Sequence, residues 1–329
     1  MRVVHLHLHR RRTGVTRHVE DVVRALADRG ARAAGFGLAP EVPRASAGEV
    51  WRAARTGGLV VHAHRNLELL AALGLRALGR AVRVVWTRHG PGPPGLWTRL
   101  LARGADARVT LTDEGAAMLG LSSVVVPHGV DLRSFHPPED RRAAWAALGV
   151  PGERGVALVG RIRPAKGQGE AVAALSSVLP RAPGWHAVLV GQARGRDRAW
   201  LDSLLAGAHD SVTAVGEQRD VARWYRGATV VVQASRAESF SLAVAEAMAS
   251  GCCVVTARLP HLAALLEEGR TAYTYPAGDA AALAGVLGPL LADPERAERT
   301  GRAAAEAAQR LFPLEREVAA LQAIYEGRR

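Results

Sequence analysis

The chain of 329 residues is 48% apolar and carries a formal net charge of +12 at pH 7, values that fit two ordinary globular domains and exclude a disordered chain. Its two cysteines, Cys252 and Cys253, are neighbours in an apolar run, which excludes a disulfide framework and favours a reducing compartment. No apolar stretch reaches the roughly 18 residues of a membrane span, and the first residues lack the apolar core of a signal peptide, so we expect a cytoplasmic protein.

Short β-branched runs alternate with helical segments along the first half of the chain. This alternation is typical of β-α-β units, which build a parallel sheet. Strands are predicted at 2–8, 58–62, 82–87, 107–111 and 123–126, and helices at 17–29 and 68–78.

A proline- and glycine-rich pause at 137–151 separates this series from a second one. The second series predicts strands at 156–159, 186–190, 212–215, 229–233 and 252–256, with helices at 169–179, 199–205 and 242–249. We therefore expect an α/β protein of two doubly wound, Rossmann-like domains. In such sheets ligands bind outside the carboxyl ends of the strands, which predicts a site in the cleft between the domains.

The sole lysine of the chain, Lys166, lies in the stretch VGRIRPAKG at 159–167, whereas the other 42 cationic Lys or Arg residues are arginines. An ammonium retained beside Arg161 and several glycines suggests a point charge aimed at an anion, with phosphate as the leading candidate. An ordinary surface lysine is the alternative.

The segment ASRAESFSLAVAEAMASG at 234–251 places Glu238 in a loop after a strand and Glu246 inside the following helix. Ser239 or Ser241 is predicted to cap that helix, which Gly251 ends. The amides of 240–243 at the helix N-terminus would then form an anion site. A carboxylate beside such a site suits a ligand that carries both phosphate and sugar hydroxyls, such as a nucleotide sugar.

Together these motifs resemble the retaining glycosyltransferases of family 4, whose fold is called GT-B, and the resemblance extends to TRHG at 87–90 and VPHGVD at 126–131. RRTGVT at 11–16 and RIRPAKG at 161–167 look most like bacterial lipopolysaccharide core mannosyltransferases. The expected organisation is an acceptor domain at 1–140, a linker at 141–152, a donor domain at 153–310, and a C-terminal helix at 311–329 that crosses back to the first domain.

The resemblance implies roles for the residues that match its motifs. Arg161 and Lys166 would clamp the donor diphosphate, Glu246 would hold the ribose, and Glu238 would hold the sugar. The resemblance implies transfer of a hexose of the mannose, glucose or N-acetylglucosamine type, with retention, onto an envelope glycan or a lipid-linked acceptor, without a metal or other cofactor. The remaining donor-binding candidates are Gly14, Ser239, Phe240, Ser241 and Leu242.

His89 would hydrogen-bond the transferred sugar near its reacting carbon, and it completes the expected catalytic set with Arg161, Lys166 and Glu238. One departure concerns Ser241, because the family usually has glycine there. The candidate acceptor-binding residues are Arg12, Thr13, Thr16, His64 and Arg88.

Two other functions remain open from the sequence. A nucleotide-sugar epimerase or hydrolase of the same fold would turn over donor without acceptor. A metal-dependent hydrolase would use His5, His7 and His9 with His62 and His64, although no Asp/His set at matching strand ends completes the ligands.

Residues 1–150 hold 22 arginines against 12 acidic residues, an excess that fits either a solvated surface or peripheral contact with an anionic membrane at its inner face. The Pro/Gly-rich segment 91–95, followed by Leu96 and Trp97, is a candidate for acceptor or membrane contact, or a plain surface loop. Nucleic acid is not an expected partner, since the sequence has no recognised module and no basic run interleaved with aromatics.

Overall fold

The computed structural model describes residues 1–9, 13–37, 41–78 and 81–328. These residues divide into two compact units. The N-terminal unit comprises Met1–Gly129 together with Leu314–Arg329, and the C-terminal unit comprises Val130–Pro313.

The N-terminal unit is a six-stranded parallel sheet with strand order β2-β1-β3-β4-β5-β6. Its strands are β1 (Arg2–His7), β2 (Arg32–Gly37), β3 (Leu59–Ala63), β4 (Val82–Thr87), β5 (Ala107–Thr110) and β6 (Val124–Val125), and its first helices are α1 (Gly14–Asp28), α2 (Ala47–Thr56), α3 (Asn66–Ala77), α4 (Leu96–Arg103) and α5 (Asp113–Leu119). Neighbouring residues of one strand enter different cores: Val60 packs with α1, while Val61 packs with α2 and α3. The sheet is therefore covered on both faces, which explains why adjacent valines occur in β1, β3 and β4.

The C-terminal unit is a second six-stranded parallel sheet, with order β12-β11-β10-β7-β8-β9. Its strands are β7 (Arg154–Val159), β8 (Trp185–Val190), β9 (Val212–Gly216), β10 (Ala228–Gln233), β11 (Cys253–Ala257) and β12 (Ala272–Tyr275). Its helices are α6 (Arg141–Ala146), α7 (Gln168–Val178), α8 (Asp197–Ala206), α9 (Ala222–Gly227), α10 (Leu242–Ala249), α11 (Pro260–Ala263), α12 (Ala280–Ala292) and α13 (Pro294–Leu311). The strand order reverses direction at β7, so the ends of β7 and β10 meet at the switch point where such sheets bind ligands.

The last helix, α14 (Leu314–Tyr325), belongs to the N-terminal unit. Leu314, Val318 and Leu321 repeat at helical spacing and pack in the same core as Val22 and Leu26 of α1. The final helix thus closes the face of the sheet that α1 only partly covers.

Helix α6 lies in the stretch for which the sequence suggested a linker, yet it packs as an integral part of the C-terminal unit. The Arg141 guanidinium donates hydrogen bonds to the carbonyl oxygens of Ala228 at 2.6 Å and Ser250 at 2.8 Å. Trp145 is fully buried against Gly155, where an added Cβ would come within 2.0 Å of the indole. The contacts also place 130–140 in the C-terminal unit.

Two strands were missed from the sequence, β2 and β12. Arg32–Gly37 reads RAAGFG and contains no β-branched residue, and Ala272–Tyr275 has only four residues. Both lie at an edge of their sheet, where less burial is needed and the apolar pattern is weaker. Within the described part of the chain, no helix combines the length and the apolar composition needed to cross a membrane.

Candidate functional site

In the C-terminal unit, the loop after β7 is held by a close backbone approach. Gly191 has a φ of 153°, and a Cβ there would come within 1.9 Å of the Gly160 carbonyl oxygen. The Gln168 side chain donates to the Arg161 carbonyl oxygen at 2.9 Å and accepts from the Arg163 amide at 3.3 Å. The backbone that carries Arg161 and Lys166 is therefore fixed at the end of the strand.

A second close approach joins this loop to the loop after β10. Gly167 has a φ of 70°, and a Cβ on it would come within 2.0 Å of the Ala234 carbonyl oxygen. Only glycine combines this left-handed backbone with such proximity. The glycine that follows Lys166 thus sets the distance between the two loops that carry the predicted donor-binding residues.

Lys166 and Glu238 form an ion pair across these loops, with Nζ 2.5 Å from Oε1. The two side chains are 25% and 16% exposed, so the pair is partly shielded from water and remains reachable by a ligand. The structure therefore brings together two residues that lie 72 positions apart and were singled out from separate motifs.

Ser241 occupies the N-cap position of α10, as one of the two predicted caps, but its hydroxyl does not cap the helix. It accepts a hydrogen bond from the Gln233 side-chain amide at 3.1 Å instead. Its φ of 71° is the only positive value at a non-glycine position in the described ranges. The glycine usual for the family is thus replaced by a serine that keeps the left-handed backbone, at a cost of about 1–2 kcal/mol.

The other candidates of this loop differ in what they can offer a ligand. Glu246 is 5% exposed on α10, and Ser239 and Leu242 are half-buried. The Phe240 ring is buried and packs edge-on against Phe312, with centroids 5.7 Å apart. Phe240 can therefore contribute to binding through its backbone, while its ring supports the helix.

In the N-terminal unit, Thr13 and Thr16 form a capping box at the start of α1. The Thr13 amide donates to the Thr16 hydroxyl at 3.0 Å, and the Thr16 amide donates to the Thr13 hydroxyl at 3.3 Å. Apart from its own neighbours in α1, no atom of the described residues lies within 4 Å of a Cβ added to Gly14, so no packing contact among them requires glycine there. Arg12 lies outside the described residues.

His64, Arg88 and His89 lie at the carboxyl ends of β3 and β4. The Arg88 guanidinium donates to the Gly92 carbonyl oxygen. The two ring nitrogens of His89 lie 3.2 Å from His64 Nδ1 and 3.3 Å from His128 Nε2. His89 is therefore part of a histidine network rather than an isolated side chain that awaits a ligand.

That network, which we call the histidine chain, continues in both directions. At one end, His128 Nδ1 lies 3.1 Å from a Glu317 carboxylate oxygen. At the other end, His64 Nε2 lies 3.0 Å from His5 Nδ1. Further links join His5 to Tyr325 at 3.3 Å, Tyr325 to His62 at 2.7 Å, and His62 to Thr87 at 2.7 Å.

Glu317 is one of the buried carboxylates of this unit. Its carboxylate is 5% exposed and accepts hydrogen bonds from the Gly129 amide at 2.6 Å and from His18 at 2.9 Å, besides its contact with His128. Burial alone would raise the pKa of Glu317, but the charges and hydrogen bonds of His18 and His128 outweigh it and lower the pKa. The motifs gave no hint of Glu317, because its partners lie almost 190 and 300 positions away.

Burial keeps the imidazoles of the histidine chain neutral. It lowers the pKa of His5 to about 3 and the pKa of His128 to about 4, and it holds the pKa values of His62, His64 and His89 well below 6.5. A charged imidazole loses its hydration when buried, so the neutral form is favoured.

Three groups in the described ranges have ligand atoms close enough together to hold a metal ion. They are His5, His62 and His64; His7, His9 and Glu68; and His18, His128 and Glu317. Glu68 of α3 and Glu317 of α14 bring acidic side chains to two of these groups, although neither lies at a strand end. Both carboxylates, however, already accept backbone hydrogen bonds, Glu68 from Leu8 and His64, and Glu317 from Gly129.

Sequence comparisons identify relatives that match most of the chain. LpcC, a lipopolysaccharide core biosynthesis mannosyltransferase of Rhizobium leguminosarum bv. viciae, is 34% identical and covers 97% of this chain and 94% of its own. LpsB, the protein of the same description in Rhizobium meliloti, is 32% identical over 82% of this chain and 79% of its own. The family model described as Glycosyl transferases group 1 matches residues 153–293.

Among solved structures, HepE of Anabaena in complex with UDP and glucose superimposes with a TM-score of 0.84 at 18% identity and covers 99% of both chains. This likeness concerns the fold alone, and it confirms the expected GT-B architecture. Fold and sequence matches together define a glycosyltransferase of the hexosyltransferase class. The chain belongs to the family of the lipopolysaccharide core biosynthesis mannosyltransferases, and the resemblance inferred from its motifs is confirmed.

Replacement of Ser241 tests the left-handed backbone at the start of α10. Ser241→Gly removes the steric cost and the bond to Gln233, whereas Ser241→Ala removes only the bond. We expect Ser241→Gly to be about 1 kcal/mol more stable than Ser241→Ala, after allowance for the greater unfolded-state entropy of glycine. Urea unfolding measures the difference, and equal stabilities of the two variants would contradict the assigned backbone.

The neutral histidines predict that the N-terminal unit loses stability in acid. Their folded pKa values lie below 6.5, so the unfolded chain binds more protons, and stability that is present above pH 6.5 falls as the pH drops toward 4. Each such histidine contributes up to about 1.4 kcal/mol per pH unit in that window. Hydrogen exchange at pH 7.5 and 5.0 should show lost protection in β1 and β3 but little change in β10 and β11. Equal losses in both units would speak against the assignment.

Proposed function

We propose that this glycosyltransferase moves a hexose, with mannose as the first candidate, from a nucleoside-diphosphate sugar to an envelope glycan or lipid-linked acceptor. The observation that carries the proposal is the Lys166–Glu238 pair at the switch point of the C-terminal sheet. The pair places an ammonium that can bind phosphate beside a carboxylate that can accept hydrogen bonds from sugar hydroxyls. The name of the Rhizobium relatives supports mannose and a lipopolysaccharide core acceptor.

The leaving group of such a reaction is a nucleoside diphosphate, so negative charge grows on it as the glycosidic bond breaks. We propose that Arg161, Lys166 and the uncapped amides at the start of α10 stabilise this charge. Removal of comparable donors in other enzymes costs roughly 2–4 kcal/mol of barrier height each. Fixed cations of this kind make a metal ion unnecessary for the leaving group.

Lys166 is paired with Glu238 before the donor arrives, and this shapes how the donor binds. A diphosphate competes for the ammonium, and the released Glu238 carboxylate then accepts hydrogen bonds from sugar hydroxyls. Glu246 would hold the ribose hydroxyls from its place inside α10. Donor binding thus exchanges one internal ion pair for two sets of contacts with the ligand.

We propose retention of configuration at the transferred sugar. The sugar passes through a cationic, oxocarbenium-like state, and an oxygen of the departing phosphate takes the proton of the acceptor hydroxyl on the same face. No side chain then acts as a nucleophile, and Glu238 is not assigned that role. His89 contacts the sugar near its reacting carbon, and the anomeric configuration of the product, read by NMR, tests retention directly.

Replacement of Lys166 or Glu246 should weaken donor binding without unfolding the protein. We expect Lys166→Ala and Glu246→Gln each to raise the donor Kd about 10-fold or more, since charge-assisted bonds contribute about 1.5–3 kcal/mol. Thermal shifts with UDP-, GDP- and ADP-sugars measure the loss, because a bound ligand raises apparent stability with its affinity. The matched controls are Arg302→Ala and Glu306→Gln, exposed on α13 of the same unit.

Wild-type donor affinity in both Lys166→Ala and Glu246→Gln would overturn the proposed donor site. The same preparations separate the other functions. Consumption of donor without acceptor would indicate an epimerase or hydrolase of nucleotide sugars. Activity that chelation abolishes, together with an unaffected Lys166→Ala variant, would indicate a metal-dependent hydrolase built on the histidines.

An exposed apolar patch on α4 supports a further part of the proposal, contact with an anionic membrane. Leu96, Trp97 and Leu100 are 86%, 57% and 57% exposed. They follow the Pro/Gly-rich segment 91–95, in the half of the chain with the arginine surplus. Apolar side chains that enter the lipid boundary, with arginines near anionic headgroups, are the two contributions that hold peripheral proteins at a bilayer.

The double variant Leu96→Ser/Trp97→Ser should bind vesicles containing anionic lipid about 10-fold or more weakly than the parent, since each buried side chain contributes about 1.5–3 kcal/mol. Co-sedimentation with such vesicles measures the difference. Trp51→Ser on α2, where the tryptophan is 39% exposed, is the matched control. Equal binding of the parent and the double variant would remove α4 from the proposal.

A further inference from the structure

The histidine chain has one hydrogen-bonding direction that satisfies all its members. A neutral imidazole carries one N–H donor and one acceptor nitrogen. Each histidine between Glu317 and Thr87 has both ring nitrogens within hydrogen-bonding distance of another group. The histidines concerned are His128, His89, His64, His5 and His62.

Glu317 selects that direction. An ionised carboxylate only accepts hydrogen bonds, so the hydrogen of His128 must lie on Nδ1, and Nε2 of His128 must accept. The neighbouring Nδ1 of His89 then donates, and Nε2 of His89 accepts from His64. Each accepting Nε2 requires a donor on the next group, which is an Nδ1 or the Tyr325 hydroxyl, so every histidine of the histidine chain carries its hydrogen on Nδ1.

In the opposite direction, every histidine of the histidine chain would carry its hydrogen on Nε2, and this is unfavourable at one point only. It would leave a lone pair of His128 Nδ1 facing the Glu317 carboxylate at 3.1 Å, in an interior where unpaired polar atoms are costly. At the far end, the hydroxyl of Thr87 can either donate or accept, so it imposes no preference. The tautomers are therefore set from the Glu317 end.

We infer that Glu317 is a positioning residue for the transfer reaction, acting through His128 to hold His89 as the Nδ1–H tautomer. His89 then presents an acceptor nitrogen, Nε2, and a sugar hydroxyl that replaces His64 donates its hydrogen to it. The inference rests on the proposed contact between His89 and the transferred sugar. Glu317 on the last helix of the protein thus determines whether His89, 228 positions earlier, donates or accepts a hydrogen bond at Nε2.

Glu317→Gln tests the inference, because glutamine keeps the shape and can donate or accept toward His128. Two-bond ¹⁵N–¹H spectra of the folded, full-length protein report which nitrogen of each histidine carries hydrogen. We expect Nδ1–H signals in the parent and mixed tautomers in Glu317→Gln. We also expect kcat to fall about 10- to 100-fold with donor KM changed less than twofold, as for lost orienting partners elsewhere.

Glu315→Gln is the matched control, since the same chemical change falls on an exposed residue of α14. It should retain the parental tautomers and kcat. Tyr325→Phe provides a second variant should Glu317→Gln fold poorly. Loss of its hydroxyl cuts the chain between His5 and His62, so His62 should change tautomer while His89 keeps Nδ1–H.

Three results would overturn the inference. They are an Nε2–H tautomer of His89 in the parent, unchanged tautomers in Glu317→Gln, and parental kcat in a Glu317→Gln protein with mixed tautomers. Bound zinc in the purified parent, with activity lost on chelation, would also overturn it, since a metal would then set the tautomers. A parent without hexosyl transfer would instead refute the proposed function, and the tautomer spectra would still be readable.

Discussion

The packing of the N-terminal unit depends on the hydrogen bonds that the buried Glu317 carboxylate accepts. This carboxylate lies on the last helix and accepts hydrogen bonds from α1, through His18, and from the Gly129 amide at the end of the first segment. An ion in such a place is stable only if every lone pair finds a donor. The closure of the unit by α14 and the order of the histidine chain therefore have one common cause.

The C-terminal unit depends on a different constraint, the close approach of two loops at the switch point of its sheet. Gly167 against Ala234 brings the loops after β7 and β10 backbone to backbone at a distance that no side chain tolerates, and Gly191 against Gly160 does the same for the loops after β8 and β7. Lys166 and Glu238 meet because these loops meet. The glycines near the lysine, which the sequence analysis noted only as its neighbours, thus determine how the loops pack.

Sequence alone predicted what local patterns specify. Val82–Thr87 reads VRVVWT, is rich in β-branched residues and was located to the residue, as was α10 with its apolar composition and the glycine that follows it. Lys166 and Glu238 were found because motifs mark them, but their mutual contact was not, since a contact across 72 positions is set by sheet topology. Glu317 and Tyr325 carry no local signal, because their partners are brought to them only when α14 packs on the sheet.

The ion pair between Lys166 and Glu238 has a consequence for selectivity at the proposed donor site. A simple phosphate could take the lysine only by leaving Glu238 without its partner and beside a second negative charge, which is unfavourable in a partly buried site. A nucleotide sugar offers phosphate to the ammonium and hydroxyls to the carboxylate, so both charges stay satisfied. The pair therefore favours ligands that carry both groups in one molecule, because discrimination follows from what a wrong ligand leaves unpaired.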